Sequence, residues 1–173
     1  RNFHDYITLD VDRSNLTVIL VKENAILNKD SRSHEKLVHG FKVLLAKNYI
    51  DNLREETAKG MLEKALQGEF PDRAPLGYRN NKETRRIDVD MERAPLVQRT
   101  FELYATGQYS LLTLSHRMIE EGLRSRSGRK LMVSELHYLM NNPLYYGEFR
   151  WRDKLYKGIH EPLISKDLFD HCK

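Results

Sequence analysis

The chain has 173 residues and a mass of 20.4 kDa, and 40% of the residues are apolar, enough for a folded core and too many for wholesale disorder. No run approaches the ~18 apolar residues of a membrane-spanning helix, no secretory leader pattern is visible, and a single cysteine, Cys172, excludes a disulfide framework or a cysteine-rich zinc site within these residues. The balance of 29 basic to 25 acidic groups, net +4, is mild, so the placement of charge says more than its sum.

The first residue is Arg1 and not Met, and the last three, His171-Cys172-Lys173, fall inside what reads as a helix, so the chain is expected to be a piece of something longer. Phe3 and Ile7 are spaced as in the tail of a helix. Leu16 to Val21 (LTVILV) is apolar and β-branched, which predicts a strand buried on both faces, as in an α/β sheet. From Ser33 to Leu66 there is no proline and good helix formers dominate, which predicts one helix of roughly 50 Å at ~1.5 Å per residue. Asp30, Ser31 and Ser33 are candidates to cap its start.

That helix has two halves. Val38, Phe41, Leu45, Tyr49 and Leu53 recur at three- and four-residue steps and form an apolar face suited to packing on protein. Arg54 to Gly60 is almost wholly polar, with Glu55 and Lys59 one turn apart, and Gly60 sits inside the helix at a cost of about 1 kcal/mol relative to Ala. An ordinary long helix kinked at Gly60 is the plainer alternative.

Gly68 ends the helix, and Pro71 and Pro75 follow, so 68–81 is the clearest domain boundary. Arg85 to Asp90 alternates like a strand. Arg93 to Tyr104 reads as a helix with Leu96, Val97, Phe101 and Tyr104 inward. Ser110 is a good cap for a helix to Glu121 carrying Leu111, Leu114, Met118 and Ile119, stopped by Gly122. Val133 to Met140 is a short helix with Leu136, Leu139 and Met140 inward, ended by Asn142-Pro143. Tyr145 to Trp151 and Lys154 to Gly158 read as a β-hairpin, and Ser165 caps a last helix. The fold class is therefore mainly α with small β elements, α+β: a long helix, then a three-helix unit with a hairpin.

Three helices of this kind followed by a hairpin fit a helix-turn-helix with a wing, whose last helix would enter a major groove. That helix presents Ser134, Glu135, His137, Tyr138 and Asn141 outward, and Ser, His, Tyr and Asn can bond base edges or phosphates. Leu123 to Lys130 (LRSRSGRK) holds four basic groups and no acidic one, placing Arg124, Arg126, Ser127, Arg129 and Lys130 where phosphates would lie. Arg79, Lys82, Arg85 and Arg86 are further candidates for DNA contact. A solvated loop, or a three-helix unit that binds protein, would account for the same pattern. There is no Gly-rich phosphate loop, no HExxH and no GxSxG. His171 and Cys172 are adjacent and point apart, so no metal site is expected, and His34, His39, His116 and Arg117 read as surface residues. Asp88 and Asp90 with Arg86 read as a solvated strand edge.

Taken in order, these segments resemble the serine recombinases (resolvases, invertases and phage-type integrases), in their large form. The residues concerned are Leu45 to Glu56 followed by Gly60; Ala74-Pro75-Leu76-Gly77-Tyr78; Ala94-Pro95-Leu96-Val97; Phe101 to Gly107 with Tyr109-Ser110-Leu111; Asn142 to Gly147; and His160 to Ser165. The resemblance implies four parts. Residues 1–32 would be the end of a catalytic domain, 33–68 the connecting helix, 69–152 the DNA-binding domain, and 153–173 the start of a linker toward a zinc-binding domain that is not among these residues. It implies a parent enzyme, cytoplasmic and encoded by a bacterium or phage, that cuts and rejoins DNA through a phosphoserine link to integrate, excise or invert a segment. The serine would lie outside this chain, and Arg1-Asn2 would end an Asp-Arg-x-x-Arg-Asn motif, with Arg1 as a remnant catalytic arginine.

The resemblance further implies that Val38, Phe41, Leu45 and Tyr49 assemble a dimer or tetramer. Lys59 and Gly60 would lie over the minor groove of double-stranded DNA, the partner being a half-site of an attachment sequence. No cofactor is expected in this chain. In relatives the recognition helix starts with a Ser cap after Trp or Ile, whereas Leu131 and Met132 stand here. The rival readings are a non-enzymatic winged-helix transcription regulator and a helical self-association module.

Overall fold

The computed structural model describes residues 16–21 and 25–173, so Phe3, Ile7 and the proposed remnant Arg1 lie outside the described residues. The chain divides into two compact units, one up to Ala58 and one from Lys59. The division falls inside the long helix, ten residues ahead of the boundary that Gly68 and the prolines suggest.

In the first unit, β1 (Val18–Leu20) pairs antiparallel with β2 (Ala25–Leu27), with Ile19 opposite Ile26. The strand expected over Leu16 to Val21 is thus shorter, and among the described residues its partner is one antiparallel hairpin strand, in place of the α/β sheet expected. It is also not buried on both faces: Leu16, Ile19 and Val21 are exposed. Helix α1 follows over Ser33–Leu66, the span that the sequence predicts. Its start is held by Glu35, whose carboxylate accepts from the Arg32 N–H at 3.0 Å, which satisfies one of the donors a helix start leaves open. Ser31 serves the turn before it, its Oγ accepting from the Asn28 N–H at 2.9 Å. Helical hydrogen bonding continues through Gly60.

In the second unit, β3 (Tyr78–Asn80) pairs with β4 (Ile87–Val89), with Arg79 opposite Asp88. β3 lies in the stretch that reads as a linker. Three helices follow: α2 (Ala94–Ala105), α3 (Leu111–Glu120) and α4 (Val133–Met140). After α4 come a 3-10 turn (Pro143–Tyr146), the hairpin β5 (Glu148–Trp151) and β6 (Lys154–Lys157), and α5 (Lys166–His171). Ser110 and Ser165 cap α3 and α5 as expected, each accepting an N–H bond at 3.2 Å from three residues ahead.

Two apolar clusters hold this unit. One joins Leu103 of α2 to Leu114 and Met118 of α3, Leu123 and Leu131 of the connection, and Leu136 of α4. The other gathers Phe101, Tyr145, Phe149 and Phe169 with Tyr78, and stacks Phe149 on Tyr156 with ring centroids 5.7 Å apart. Leu163, Ile164, Phe169 and Cys172 belong to this second cluster, so 163–172 packs back onto α2 and does not lead away as a linker. The Cys172 Sγ–H donates to the Phe101 carbonyl at 3.4 Å, and burial raises its thiol pKa. Gly77 illustrates the tolerance of the packing: it has φ +87°, and a Cβ there would lie 2.9 Å from Leu163 Cδ1.

Candidate functional site

Local chemistry positions the candidate site on α3, α4 and the segment between them. Arg117 and Ile119 near the end of α3 offer carbonyls to the Glu121 N–H. The Arg124 Nη1 donates to the carbonyls of Ile119 at 2.6 Å and Leu123 at 2.9 Å. Arg124 therefore anchors the end of α3, where a cation also meets the negative end of the helix. Beyond it the chain folds into a small hairpin: Arg124 bridges Lys130, the Ser125 N–H donates to the Arg129 carbonyl at 2.8 Å, and the Ser125 Oγ accepts from the Arg129 N–H at 3.2 Å. The basic run is thus an ordered turn that exposes Ser127, Arg129 and Lys130, and the Arg129 Nε donates to the Ser127 Oγ at 2.9 Å.

The turn delivers the chain to α4. Ser115 of α3, buried, donates from its Oγ to the Leu131 carbonyl at 3.1 Å and ties the two helices. Met132 offers no cap, and the Glu135 carboxylate accepts from its N–H at 2.8 Å instead. Glu135, expected to face outward, is thus spent on holding the helix start, which compensates for the missing Ser. With Leu136, Leu139 and Met140 buried, the opposite face carries Ser134, His137, Tyr138 and Asn141 into solvent. Tyr138 is 76% exposed, so its ring and hydroxyl are both open to a partner. Asn141 Nδ2 donates to the His137 carbonyl at 2.9 Å, which fixes the amide beside the imidazole.

The structure separates the other predicted residues. Arg79, Lys82, Arg85 and Arg86 lie on the β3–β4 hairpin and its turn. Arg86 is not a free cation: its Nε bonds the Glu69 carboxylate at 2.7 Å, and the Arg85 carbonyl accepts from Lys64 Nζ at 3.0 Å. These bonds fasten the hairpin to the end of α1. Lys59 and Gly60 lie on the exposed face of α1, and a Cβ at Gly60 would meet nothing within 4 Å. Val38, Phe41, Leu45 and Tyr49 are all exposed on α1.

A groove of about 300 Å³ lies beside α4, lined by Leu76, Ser125, Arg126, Glu135, Tyr138 and Asn142 among others. Sequence reasoning missed the two arginines whose charges reach Arg126 there, Arg73 and Arg93. Burial, then these two charges, lower the Arg126 pKa, with Asp90 and Tyr145 opposing. No local pattern marks them, because their neighbourhood is made by long-range folding. Among the described residues there is no group of three or more His, Cys, Asp or Glu placed to hold a metal ion, and no helix is long and apolar enough to cross a membrane.

Comparisons with known proteins agree with this architecture. Residues 91–173 match the family model described as Recombinase. Over 65 residues the chain is 32% identical to "Uncharacterized immunity region protein 5" of Bacillus phage phi105, covering 38% of this chain and 49% of that protein. Two solved structures share the fold at 23% identity. One, reported as "Crystal Structure of a LSR-DNA Complex", has a TM-score of 0.57 over 68% of this chain and 37% of that one. The other, reported as "Sequence Requirements of the Listeria innocua prophage attP site", has a TM-score of 0.56 over 68% of this chain and 49% of that one. The chain spans about half or less of the length of these proteins. The α+β fold and the resemblance to large serine recombinases are both borne out.

Proposed function

We propose that this chain, whose residues 91–173 match the Recombinase family model, binds double-stranded DNA through its second unit, as the DNA-binding region of a site-specific serine recombinase. The observation that carries this reading is the surface of α4: Ser134, His137, Tyr138 and Asn141 face solvent over a buried row of Leu136, Leu139 and Met140, directly after an ordered basic turn. In a major groove such a helix places hydroxyl, imidazole and amide groups on base edges. Arg126, Ser127, Arg129 and Lys130 would bond backbone phosphates and fix the register of the helix. Arg79, Lys82 and Arg85 on the β3–β4 hairpin, with Lys59 and Gly60 on α1, would extend the contact along the backbone. Arg124 contributes by holding the turn in place, and Arg86 by holding the hairpin.

The exposed apolar face of α1 supports a second part of the reading. Phe41, Leu45 and Tyr49 leave water only when another surface covers them, and the resemblance to recombinases, which work as dimers and tetramers, favours a second copy of the chain. The complete protein would cut and rejoin DNA through a serine carried on residues other than these, at a half-site of an attachment sequence.

Selection from random duplex DNA with the 173-residue chain, at two salt concentrations, tests this reading. Enrichment of a defined half-site, with binding weakened by salt, is the expected result. Absence of binding at low salt would overturn it.

A further inference from the structure

The β5–β6 hairpin carries cations that nothing else in the fold engages. Cross-strand pairing sets Phe149 opposite Tyr156 and Trp151 opposite Lys154 on one face, and Arg150 opposite Leu155 and Glu148 opposite Lys157 on the other. Phe149 is wholly buried and shares its core with Leu139 and Met140 of α4. The first face therefore looks inward, and Arg150, Leu155 and Lys157 stand exposed on the second. The base of the hairpin is braced. The Gly158 N–H donates to the Gly147 carbonyl at 2.8 Å, and the Ile159 N–H donates to the Gly68 carbonyl at 3.0 Å.

Residues 148–157 hold four cations, Arg150, Arg152, Lys154 and Lys157, against two carboxylates, Glu148 and Asp153. All four cations are exposed, and none takes part in a hydrogen bond or ion pair among the described residues. Glu148 is occupied, accepting from the Tyr146 hydroxyl at 2.9 Å. The tip adds a second observation. Only Arg152 and Asp153 separate the paired Trp151 and Lys154, and their φ angles are 44° and 61°. A two-residue turn with both central residues at positive φ favours Asn and Gly, which reach that conformation at little cost. An arginine there strains the turn and gains no bond within the described residues in return. Such a side chain suits an anion outside the chain.

We propose that the β5–β6 hairpin is a second DNA-contacting element, which lays Arg150, Arg152 and Lys157 along the phosphate backbone of the duplex that α4 reads. The inference rests on the DNA-binding reading above and deepens it. Duplex DNA fits this surface better than a protein partner does. The outer face offers guanidinium and ammonium donors around a single exposed apolar side chain, Leu155, and lacks the aromatic and apolar centre of a protein interface. Contacts to phosphates add affinity at every sequence and leave the choice of sequence to α4.

The test titrates two duplexes of equal length, the selected half-site and a scrambled sequence, at several salt concentrations, and records melting temperatures without DNA. It compares the 173-residue chain with Arg152→Asn, Arg150→Gln/Lys157→Gln and Asp153→Asn. Arg152→Asn should weaken binding to both duplexes several-fold and lower the slope of log K against log salt by about 0.9. Its melting temperature should hold or rise, because Asn suits the turn. Arg150→Gln/Lys157→Gln should lower the slope by about 1.8. Asp153→Asn removes the carboxylate at the tip and should tighten binding to both duplexes. Trp151, the only tryptophan in the chain, adjoins the tip, so its emission should change as duplex is added, with the midpoint of binding.

Binding losses that track falling melting temperatures would make these cations structural and overturn the proposal. A changed preference between the two duplexes would make the hairpin a reader of bases and overturn the phosphate assignment. So would an equal loss from Lys166→Gln/Lys173→Gln, exposed cations at the other end of the sequence, which would show a general effect of charge. If the unsubstituted chain binds no duplex at low salt, the DNA-binding reading falls and the hairpin contact with it. If it binds and the hairpin variants match it in affinity and slope, only the hairpin contact falls.

Discussion

In the unit up to Ala58, Phe41, Leu45 and Tyr49 are 61, 54 and 69% exposed, while in the unit from Lys59, Phe101, Leu114 and Phe149 are wholly buried. Both sets of residues are apolar and both sit at regular spacing. The difference lies in what each element meets. In the second unit four short helices and two hairpins converge, and each apolar stripe finds another. Among the described residues of the first, a two-stranded hairpin and part of one helix leave these side chains uncovered. Hydrophobic periodicity thus identifies a face that wants burial, and only the neighbours decide whether the burial is internal or waits for a partner.

Substitution can break this contrast most strongly in the core. Leu136→Ala removes a wholly buried side chain between α3 and α4 and should cost about 2–5 kcal/mol, read as a lower midpoint in urea. A change below about 1 kcal/mol would mean that α4 is not held by this packing. Phe41→Ala with Leu45→Ala should leave the urea midpoint of the second unit within experimental scatter, because both residues are solvent-exposed. It should raise the dissociation constant for self-association at least about tenfold, equivalent to about 1.4 kcal/mol, as measured by sedimentation. Equal sedimentation of both proteins at every concentration would remove α1 from assembly.

Gly60→Ala sharpens the contrast at the point where the two units meet in sequence. Nothing lies within 4 Å of a Cβ at that position, so the change should stabilise α1 by about 1 kcal/mol, visible as higher helicity. If the backbone there lies against DNA, the same variant should bind DNA more weakly despite its firmer helix. Equal or tighter binding would place Gly60 away from the duplex.

The smallest effect is on pH. His160 donates from Nε2 to the Leu144 carbonyl at 2.7 Å, its Nδ1 is buried without a partner among the described residues, and burial holds its pKa below the ordinary 6.5. As pH falls below about 6.5 the unfolded chain takes up the proton first, so stability declines until the folded pKa is passed. Above that window His160 contributes no slope. The melting temperature should therefore fall modestly in mild acid, and His160→Asn should flatten the decline. An unchanged slope in the variant would assign the pH dependence to other groups.

Much of this architecture was legible in the sequence. The span of α1 follows from an unbroken run of helix formers between Ser33 and Leu66, and that of α4 from the spacing of Leu136, Leu139 and Met140. Ser110 and Ser165 announce their helices because capping is a local bond. What stayed hidden depends on distant partners. β3 carries no alternation that marks it as a strand, and it exists because Ile87 to Val89 lies beside it. Residues 153–173 read as a departing linker because the contact between Phe169 and Phe101 spans the whole domain. Arg124 looks like any member of a basic run until the carbonyls of Ile119 and Leu123 appear next to it.

The most direct measurement is the equilibrium binding of the 173-residue chain and its His137→Ala/Tyr138→Ala variant to two duplexes of equal length, the selected half-site and a scrambled sequence, at one salt concentration. Both side chains are exposed on α4, so the variant should fold normally. A helix that reads bases loses about 1–3 kcal/mol of discrimination with such contacts, so the preference for the half-site should fall about tenfold or more while affinity for the scrambled duplex hardly changes. A variant that keeps the full preference would show that α4 is not the element that reads the DNA.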